Sequence, residues 1–507
     1  MTKRIFIASL FAASFFSAQA EDLYLDGTTK YSIASGTTKT FDNTEIYGSS
    51  SAQLSISGTG NLGIVTIEKG SGITSNSGFE VLSGGVANAS EFYVSGGLAN
   101  MAGTMNVTDR FSVGGIYDTK FLVLNGGKLY TNGVDMFADG TIPTYNLRIE
   151  GYMKNVGDMV MFSQAKTAGL SISTTGKLET DTLTLNAAKV DISGTVDVNQ
   201  ITINTDQQAN SSFKLWSAGV LNINGTSTLT DTQNTGTINV NAGITQIASS
   251  GGFLLQAGTL NINDGARMNA IFIDDGANPY VFRVQINPDT KVVDSRINIK
   301  GSGILDLSKT KNNNDLVIDA SARLTVTSEK SNSIIADKIT FFNNTTLTLN
   351  SKKTFVGEAG DYNITLMAAQ GIVANVNVNA LSQFGGVQLQ QGSKLIFNMG
   401  SGADSVLVLD AIVQYLTHVG SIVFNDFNNE KVFFLDMSEL PSFATISGTG
   451  VNGKTLTNSD FSLIAGEFNG ESGYWLYAAG VPEPSTFAAI FGASALALAL
   501  YRRRRKI

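Results

Sequence analysis

The sequence predicts an all-β protein, a right-handed parallel β-helix with a cap at each end. Two observations carry this prediction. Short runs rich in Val, Ile, Leu and Thr alternate with Gly, Asn, Asp and Ser from Leu23 to about Met399, and a short glycine-led unit recurs inside this region. Alternation of apolar and polar residues is typical of half-buried strands, and repeats of about 20 residues are typical of solenoids.

The clearest unit consists of a glycine, two apolar residues two positions apart and a closing asparagine. It begins at positions 194, 219, 236 and 258, so successive starts are 25, 17 and 22 residues apart. One unit cannot bury its apolar face alone, whereas stacked coils bury one another. In this interpretation the glycine supplies a turn conformation, and the closing asparagine tolerates a left-handed bend.

The chain divides into four segments on this basis. Residues 1–20 are a signal peptide, residues 21–401 are the solenoid repeats, residues 402–480 are the last coils with a C-terminal cap, and residues 481–507 are a sorting tail. The stretch from Asp22 to about Thr44 is the candidate N-terminal cap. Residues 436–440 are a candidate helical turn before Pro441, and a separate small β-domain is the alternative for residues 402–480.

The N-terminus has the three parts of a secretory signal. Lys3 and Arg4 are followed by an apolar stretch, and Ala18 and Ala20 form a small-x-small cleavage site that predicts a mature start at Glu21. Export of the body is therefore expected.

The C-terminus has three parts of its own. Pro482, Glu483 and Pro484 are expected to be extended, because the two prolines push their neighbours out of the α region. Residues 485–501 are uncharged and span about 25 Å as a helix, which is the lower end of what a bilayer requires. A basic stop that favours the cytoplasmic side follows, formed by Arg502, Arg503, Arg504, Arg505 and Lys506.

This order of motif, apolar helix and basic stop resembles the PEP-CTERM sorting signal of Gram-negative bacteria. The resemblance implies that an exosortase, a membrane-embedded cysteine protease, cuts the chain near Pro482 to Ser485. The expected partners are therefore this enzyme and signal peptidase, with the membrane as a partner only before processing. The expected location is a membrane-anchored intermediate and then the cell surface or the medium.

The repeats of the body are similar to the passenger domains of autotransporter adhesins, which are secreted β-helices. The tail here is far too short to form a translocator barrel, so the likeness concerns architecture and a surface role, not the export route. A glycan or the extracellular matrix is the partner that this likeness implies.

Composition limits the chemistry. The 507 residues include 53 glycines, six prolines and no cysteine, so neither disulfides nor thiolate metal sites can hold the body together. The formal net charge is −8, and seven of the 34 cations lie in the two terminal signals. An acidic body argues against nucleic acid as a partner, because phosphate binding requires a basic face.

No catalytic, metal or cofactor site is expected, and none of the alternatives is well supported by the sequence. The single histidine, His418, cannot form a histidine metal site. The nearest acidic and basic cluster is Asp274 and Asp275 with Arg267 and Arg283, and a turn between coils explains the two aspartates. The oxygens of residues 261–265 and 312–315 match no calcium loop. Trp216 and Trp475 are the only tryptophans available for stacking on a sugar ring, and Trp475 lies in an apolar run typical of a core.

The leading hypothesis is an exported, surface-associated, non-enzymatic solenoid with a structural or adhesive role. The alternative is a polysaccharide lyase or glycoside hydrolase, which should gather three or more carboxylates and a cation in one cleft. A third hypothesis is self-assembly through a weakly capped end of the solenoid.

Overall fold

The computed structural model describes most of the chain between residues 20 and 481. The described ranges are 20–48, 52–69, 78–115, 119–138, 146–163, 169–186, 189–204, 212–229, 232–248, 254–255, 258–272, 282–284, 296–306, 315–318, 323–328, 333–341, 346–350, 353–354, 364–414 and 418–481. Within these ranges the chain is almost entirely strand, with one turn of 3-10 helix at Asn458–Asp460.

The strands are short and follow one another around successive coils. The first are β1 (Glu21–Asp26), β2 (Lys30–Ile33), β3 (Thr38–Gly48), β4 (Gln53–Ile56), β5 (Thr59–Asn61), β6 (Ile64–Lys69), β7 (Phe79–Val81), β8 (Val86–Ser95), β9 (Gly97–Met101), β10 (Thr104–Gly115), β11 (Thr119–Val123), β12 (Lys128–Thr131), β13 (Val134–Ala138), β14 (Leu147–Ile149), β15 (Tyr152–Ser163), β16 (Gly169–Ile172), β17 (Lys177–Asn186), β18 (Lys189–Ile192) and β19 (Thr195–Asn204).

The middle of the body continues this pattern. Its strands are β20 (Ser212–Leu215), β21 (Val220–Ile223), β22 (Ser227–Leu229), β23 (Thr232–Asn234), β24 (Thr237–Val240), β25 (Gly243–Ala248), β26 (Leu254–Leu255), β27 (Thr259–Ile262), β28 (Arg267–Phe272), β29 (Phe282–Val284), β30 (Arg296–Gly301), β31 (Ile304–Asp306), β32 (Asp315–Ile318), β33 (Arg323–Ser328), β34 (Ile334–Ile335), β35 (Lys338–Phe341) and β36 (Thr346–Leu349).

The last part contains the final coils and ends in three strands that form antiparallel pairs. Its strands are β37 (Lys353–Thr354), β38 (Thr365–Ala368), β39 (Val373–Val378), β40 (Ser382–Leu389), β41 (Lys394–Met399), β42 (Leu407–Gln414), β43 (Gly420–Phe427), β44 (Val432–Phe434), β45 (Ala444–Gly450), β46 (Thr455–Leu456), β47 (Phe461–Phe468) and β48 (Glu471–Ala478).

Parallel pairing between successive coils creates a three-faced solenoid. A sheet of 27 strands covers two faces, because long strands such as β10 turn the corner between them. We call the face that contains β5, β12 and β21 the first face and the one that contains β6, β13 and β22 the second face. The third face consists of an 11-stranded sheet followed by a 10-stranded one. The prediction of an all-β parallel solenoid is confirmed.

The core is a column of apolar side chains in register inside the coils. Phe92 of β8 pairs with Phe111 of β10 in register, and their rings stack with centroids 5.8 Å apart. Phe121 of the third face meets Phe111 edge to face at 4.8 Å. Every coil therefore supplies inward groups that its neighbours cover, as alternation along each strand requires.

The glycines that open the repeat unit have a different role from the predicted one. Gly194, Gly219 and Gly236 do not have a positive φ. A Cβ at Gly194 would lie 2.2 Å from the carbonyl oxygens of Ser173 and Gly176 in the preceding coil. These residues are glycine because adjacent coils approach closely at the corner that leads into the first face.

The expected left-handed bend at the closing asparagines is also wrong. Among the described residues other than glycine, positive φ values occur at Asp426, Glu430 and Asn469 only. The closing asparagines instead stack their amides from coil to coil, as shown below.

The two ends of the solenoid differ. Residues 22–44, the candidate N-terminal cap, contain ordinary coil strands, and β1 and β2 pair in parallel with β3 and β4. At the C-terminal end β48 pairs antiparallel with β44 and β47, and β46 pairs antiparallel with β45. The turn between β47 and β48 is Asn469–Gly470, with φ values of 51° and 85° that suit a two-residue hairpin.

The C-terminal hairpin buries a second, smaller core. Val408 and Phe433 point away from the main core and pack under Phe468 and Trp475, with the Phe433 and Trp475 ring centroids 4.8 Å apart. This burial on both sides explains why the strands at residues 406–409 and 432–435 are continuous apolar runs. The predicted helical turn at residues 436–440 is wrong, because the Asp436 N–H donates to the Asp410 carbonyl at 3.0 Å and continues the stack of coils.

Candidate functional site

The first face has an outward column of polar side chains, which we call the polar column. Register places one residue of each coil in it, and strand spacing of about 4.8 Å brings neighbours within hydrogen-bond reach. Its members are Asn61, Asn88, Asn106, Tyr130, Lys154, Glu179, Asp197, Asn222, Asn239, Asn261, Asn298, Thr325, Thr348, Asn377, Asn398 and Asn425.

Most of the polar column is an amide ladder with a fixed direction. The Asn298 Nδ2 donates to Asn261 Oδ1 at 2.8 Å, and Asn261 donates to Asn239 at 2.7 Å. Asn239 donates in turn to Asn222 at 2.7 Å. Each amide thus uses one donor and one acceptor along the column and keeps the others for solvent or a ligand.

The ladder ends on a charged cluster in the middle of the body. Asn222 donates to Asp197 at 2.5 Å, and Tyr152, from the other direction, donates its hydroxyl to Glu179 at 2.8 Å. Lys177 lies between the two carboxylates, with its Nζ 2.7 Å from Glu179 and 3.0 Å from Asp197. The two carboxylates thus accept donors from both sides, and the lysine offsets their charge.

The pKa values of this cluster follow from its contacts. The hydrogen bond from Lys177 holds the pKa of the Glu179 carboxyl below its ordinary value. Hydrogen bonds to Glu179 and Asp197 raise the pKa of Lys177. Burial, and then the hydrogen bond to Glu179, raise the pKa of Tyr152 to about 12. At neutral pH Glu179 is therefore a carboxylate, Lys177 an ammonium and Tyr152 a neutral phenol.

A second column lies at the corner between the first and second faces, and we call it the corner column. It contains the closing asparagines of the repeat unit. Asn263 donates to Asn241 at 2.7 Å and Asn241 donates to Asn224 at 2.8 Å. The ladder stops there, because Asn199 donates to Asp181 of the preceding coil at 2.8 Å and Asn224 does not reach Asn199.

A shallow groove of about 360 Å³ lies where the two columns are interrupted. It is lined by Lys154, Asn155, Val156, Glu179, Thr180, Asp181, Asp197, Asn199 and Asn224. Here β17 and β19 run continuously around the corner, whereas the next coil is divided between β21 and β22. Sequence reasoning missed this groove, since its residues come from four coils whose register the sequence does not reveal.

The groove brings three carboxylates and a lysine together, which is the composition expected of a glycan-cleaving site. Glycoside cleavage requires a carboxyl group with a raised pKa as general acid. The pKa of Glu179 is lowered, and Asp181 and Asp197 accept hydrogen bonds from neighbouring side chains. Over the described ranges, no group of three or more His, Cys, Asp or Glu residues could hold a metal ion.

The acidic and basic cluster suggested by the sequence is only partly within the described residues. Arg267 forms an ion pair with Asp306 of the next coil, whose side chain is buried. Asp274 and Asp275 lie outside the described residues, as does the side chain of Arg283. His418 is half-buried before β43, and its carbonyl accepts a hydrogen bond from Gln414 at 3.4 Å.

Of the residues considered for calcium, 312–314 lie outside the described residues, and Asn261, Asn263 and Asp264 form hydrogen bonds within the protein. Asn261 and Asn263 belong to the two amide columns. The Asp264 Oδ1 accepts hydrogen bonds from the amide and the hydroxyl of Ser302, at 2.8 and 2.7 Å. These groups therefore tie neighbouring coils together.

The two tryptophans occupy different environments. Trp475 packs against Phe433 and Phe468 in the smaller core. Trp216 is 48% exposed at the turn before β21, and its indole N–H donates to Asp191 at 3.2 Å. Burial raises the pKa of the Asp191 carboxyl. Trp216 is thus the tryptophan that is accessible to a ligand.

The predicted export residues lie at the limits of the described body. Glu21 is the first residue of β1, directly after Ala20, whereas Ala18 is outside the described residues. The sorting motif Pro482, Glu483 and Pro484 and the basic stop from Arg502 to Lys506 are also outside them. Between residues 20 and 481, no described helix is long and apolar enough to cross a membrane.

The last described residues are clamped to the body. Val481 is buried, and its carbonyl accepts a hydrogen bond from Asn429 Nδ2 at 3.0 Å. The Asn429 Oδ1 accepts the Ala478 N–H at 2.9 Å, and Asn452 donates to the Gly480 carbonyl at 3.1 Å. The predicted sorting motif begins at Pro482, the residue that follows this clamp.

Comparisons of the chain with protein-family models and with curated protein sequences gave no match.

Proposed function

We propose that the protein is an exported, surface-associated and non-enzymatic solenoid with a structural or adhesive role, processed through a C-terminal PEP-CTERM-type signal. The body would be a right-handed β-helix, the hand that parallel crossover connections favour. The sorting tail would form a membrane helix until an exosortase removes it. Signal peptidase would act at the other end, between Ala20 and Glu21.

The observation that carries this proposal is the coincidence of the body with the two predicted cleavage sites. The first strand begins at Glu21, and the clamp made by Asn429 ends at Val481. Cleavage at Ala20 and after Pro482 would leave every described strand intact. The polar column supports a structural role, because it spreads hydrogen bonds along many coils.

Mass spectrometry of the protein purified from the producing cell tests the processing. A product that begins at Glu21 and ends between Pro482 and Ser485 is expected. A product that keeps Arg502 to Lys506 would refute cleavage of the tail. Protease treatment of intact cells should degrade the body if it is at the surface. A cytoplasmic control protein that stays undigested confirms that the cells are intact.

A glycan-cleaving enzyme is the second candidate, and the groove with Glu179, Asp181, Asp197 and Lys154 favours it. The purified protein should then release reducing ends or unsaturated products from a polysaccharide. Glu179→Gln and Asp197→Asn, which keep the shape of each side chain, should abolish that release. Absence of turnover on neutral and acidic polysaccharides would leave the non-enzymatic role as the better proposal.

A further inference from the structure

The interruption of the corner column leaves polar groups without partners. Within the described part of the chain, neither Asn199 Oδ1 nor Asn224 Nδ2 takes part in a side-chain hydrogen bond. Asn199 gives its amide N–H to Asp181, and Asn224 receives one from Asn241. An acceptor and a donor on adjacent coils therefore both face the groove, where an unbroken ladder would have joined them.

The groove carries charges of both signs, with three carboxylates, Glu179, Asp181 and Asp197, against Lys154 in the lining and Lys177 beside it. Lys154 is exposed on its rim, and over the described ranges its Nζ has no ion-pair partner. Glu179 and Asp197 share Lys177, which lies beside the groove. A highly charged ligand of either sign would meet like charges here, whereas a neutral ligand rich in hydroxyls would not.

We propose that this groove binds a neutral polysaccharide chain; the inference rests on the proposed surface function and assigns it a site. Hydroxyl groups can donate to Asn199 Oδ1 and to the free lone pairs of Asp181, and they can accept from Asn224 Nδ2 and from Lys154. Each new hydrogen bond replaces one to water, so affinity builds up over several contacts along the chain.

The shape and lining of the groove favour a saccharide over a peptide. Val156 is its one apolar side chain, so it lacks the pockets that anchor peptide side chains. The strand segments that flank the corner are paired with the neighbouring coils, so they offer a peptide no free strand edge. An extended polymer can cross the four coils that line it.

The test is binding by the protein purified from the producing cell to dextran, mannan and galactan, with polygalacturonate as the anionic comparison. Affinity gel electrophoresis ranks the polymers, and titration calorimetry measures the tightest. Asn224→Ala and Asp181→Ala should each weaken binding about tenfold or more. Asn379→Ala is the matched control, because Asn379 occupies a similar ladder position and donates to Asn350 at 2.8 Å far from the groove. Circular dichroism spectra establish that each variant is folded.

We expect the unchanged protein and Asn379→Ala to bind at least one neutral polymer with the same affinity. Asn224→Ala and Asp181→Ala should bind it about tenfold more weakly or not at all. Equal binding by Asn224→Ala, Asp181→Ala and the unchanged protein overturns the site. Binding to polygalacturonate alone, or to no polymer, overturns the ligand class. In those cases surface exposure on intact cells can still hold, whereas retention inside the cell would refute the proposed function whatever the protein binds.

Discussion

Replacing Gly236 by alanine should loosen the stack of coils, whereas the same change at Gly243 should not. A Cβ at Gly236 would lie 2.4 Å from the carbonyl oxygens of Gly219 and Trp216. Backbone atoms cannot rotate away, so the two coils must separate by about 1 Å to restore ordinary contact. Overpacking of this kind typically costs about 1–3 kcal/mol.

Two further effects change the loss of stability expected for Gly236→Ala. The Thr237 N–H donates to the Gly219 carbonyl at 2.9 Å, and separation of the coils weakens this bond, which is worth about 1 kcal/mol. The reduced entropy of the unfolded chain returns about 0.4–1 kcal/mol. We therefore expect Gly236→Ala to cost about 1–3 kcal/mol locally.

Gly243→Ala provides the matched control. Its Cβ would have Thr226 Oγ1 as nearest neighbour at 3.8 Å, and its φ is not positive. Only the entropy term remains, so the control should be neutral or slightly stabilised.

Hydrogen exchange followed by mass spectrometry is the suitable assay, because solenoids do not unfold as a single unit. Amides of β24 should exchange about 5- to 150-fold faster in Gly236→Ala, the factor that about 1–3 kcal/mol implies, while those of β8 should be unchanged. Equal exchange of β24 in the two variants would refute the explanation of these glycines by close approach.

Three further predictions concern single contacts. Lys177→Met should lower the free energy of unfolding by about 1–2 kcal/mol at pH 7, since it removes two exposed ion pairs and leaves their carboxylates unbalanced. Because the pKa of Glu179 is lowered in the folded protein, this loss should fade below about pH 4. An equal loss in urea unfolding at pH 3 would contradict this. Tyr152→Phe should remove an absorbance component that titrates near pH 12, and a difference spectrum centred near pH 10 would count against the burial of Tyr152 and its hydrogen bond to Glu179. Asn429→Ala should speed hydrogen exchange in the last strand, because it leaves the buried Val481 carbonyl without a partner, which costs about 1–3 kcal/mol of local stability. Unchanged exchange would show that the clamp does not stabilise this strand.

The repeat unit shows how far local pattern carries. Its two apolar positions predict inward groups, and Leu221, Ile223, Ile238 and Val240 are all buried. The turn conformation predicted for its glycine and the left-handed bend predicted for its asparagine are both wrong. The rules behind these predictions describe only a residue's own φ and ψ. In a solenoid the constraint comes from the next coil, which lies about 20 residues away in sequence but about 4.8 Å away in space.

The groove could not be predicted for a related reason. Lys154, Asp181, Asn199 and Asn224 come together only when four coils of unequal length are placed in register. The unequal spacing of the repeats, 25 residues and then 17, hides which asparagines are neighbours. A search for asparagines at the closing position of successive units could have found the corner column, but not its interruption.

Half-buried strands in stacked repeats can be predicted from the sequence alone, because strand alternation and repetition are local properties of the chain. The sequence also supplied the terminal motifs on which the proposed export and sorting rest. The role of each repeated residue, in contrast, depends on the folded structure. The stacking of coils forces glycine where carbonyls approach and aligns amides into ladders. At one groove it leaves the Asn199 acceptor and the Asn224 donor without a side-chain partner. Each of these effects depends on contacts between residues distant in sequence.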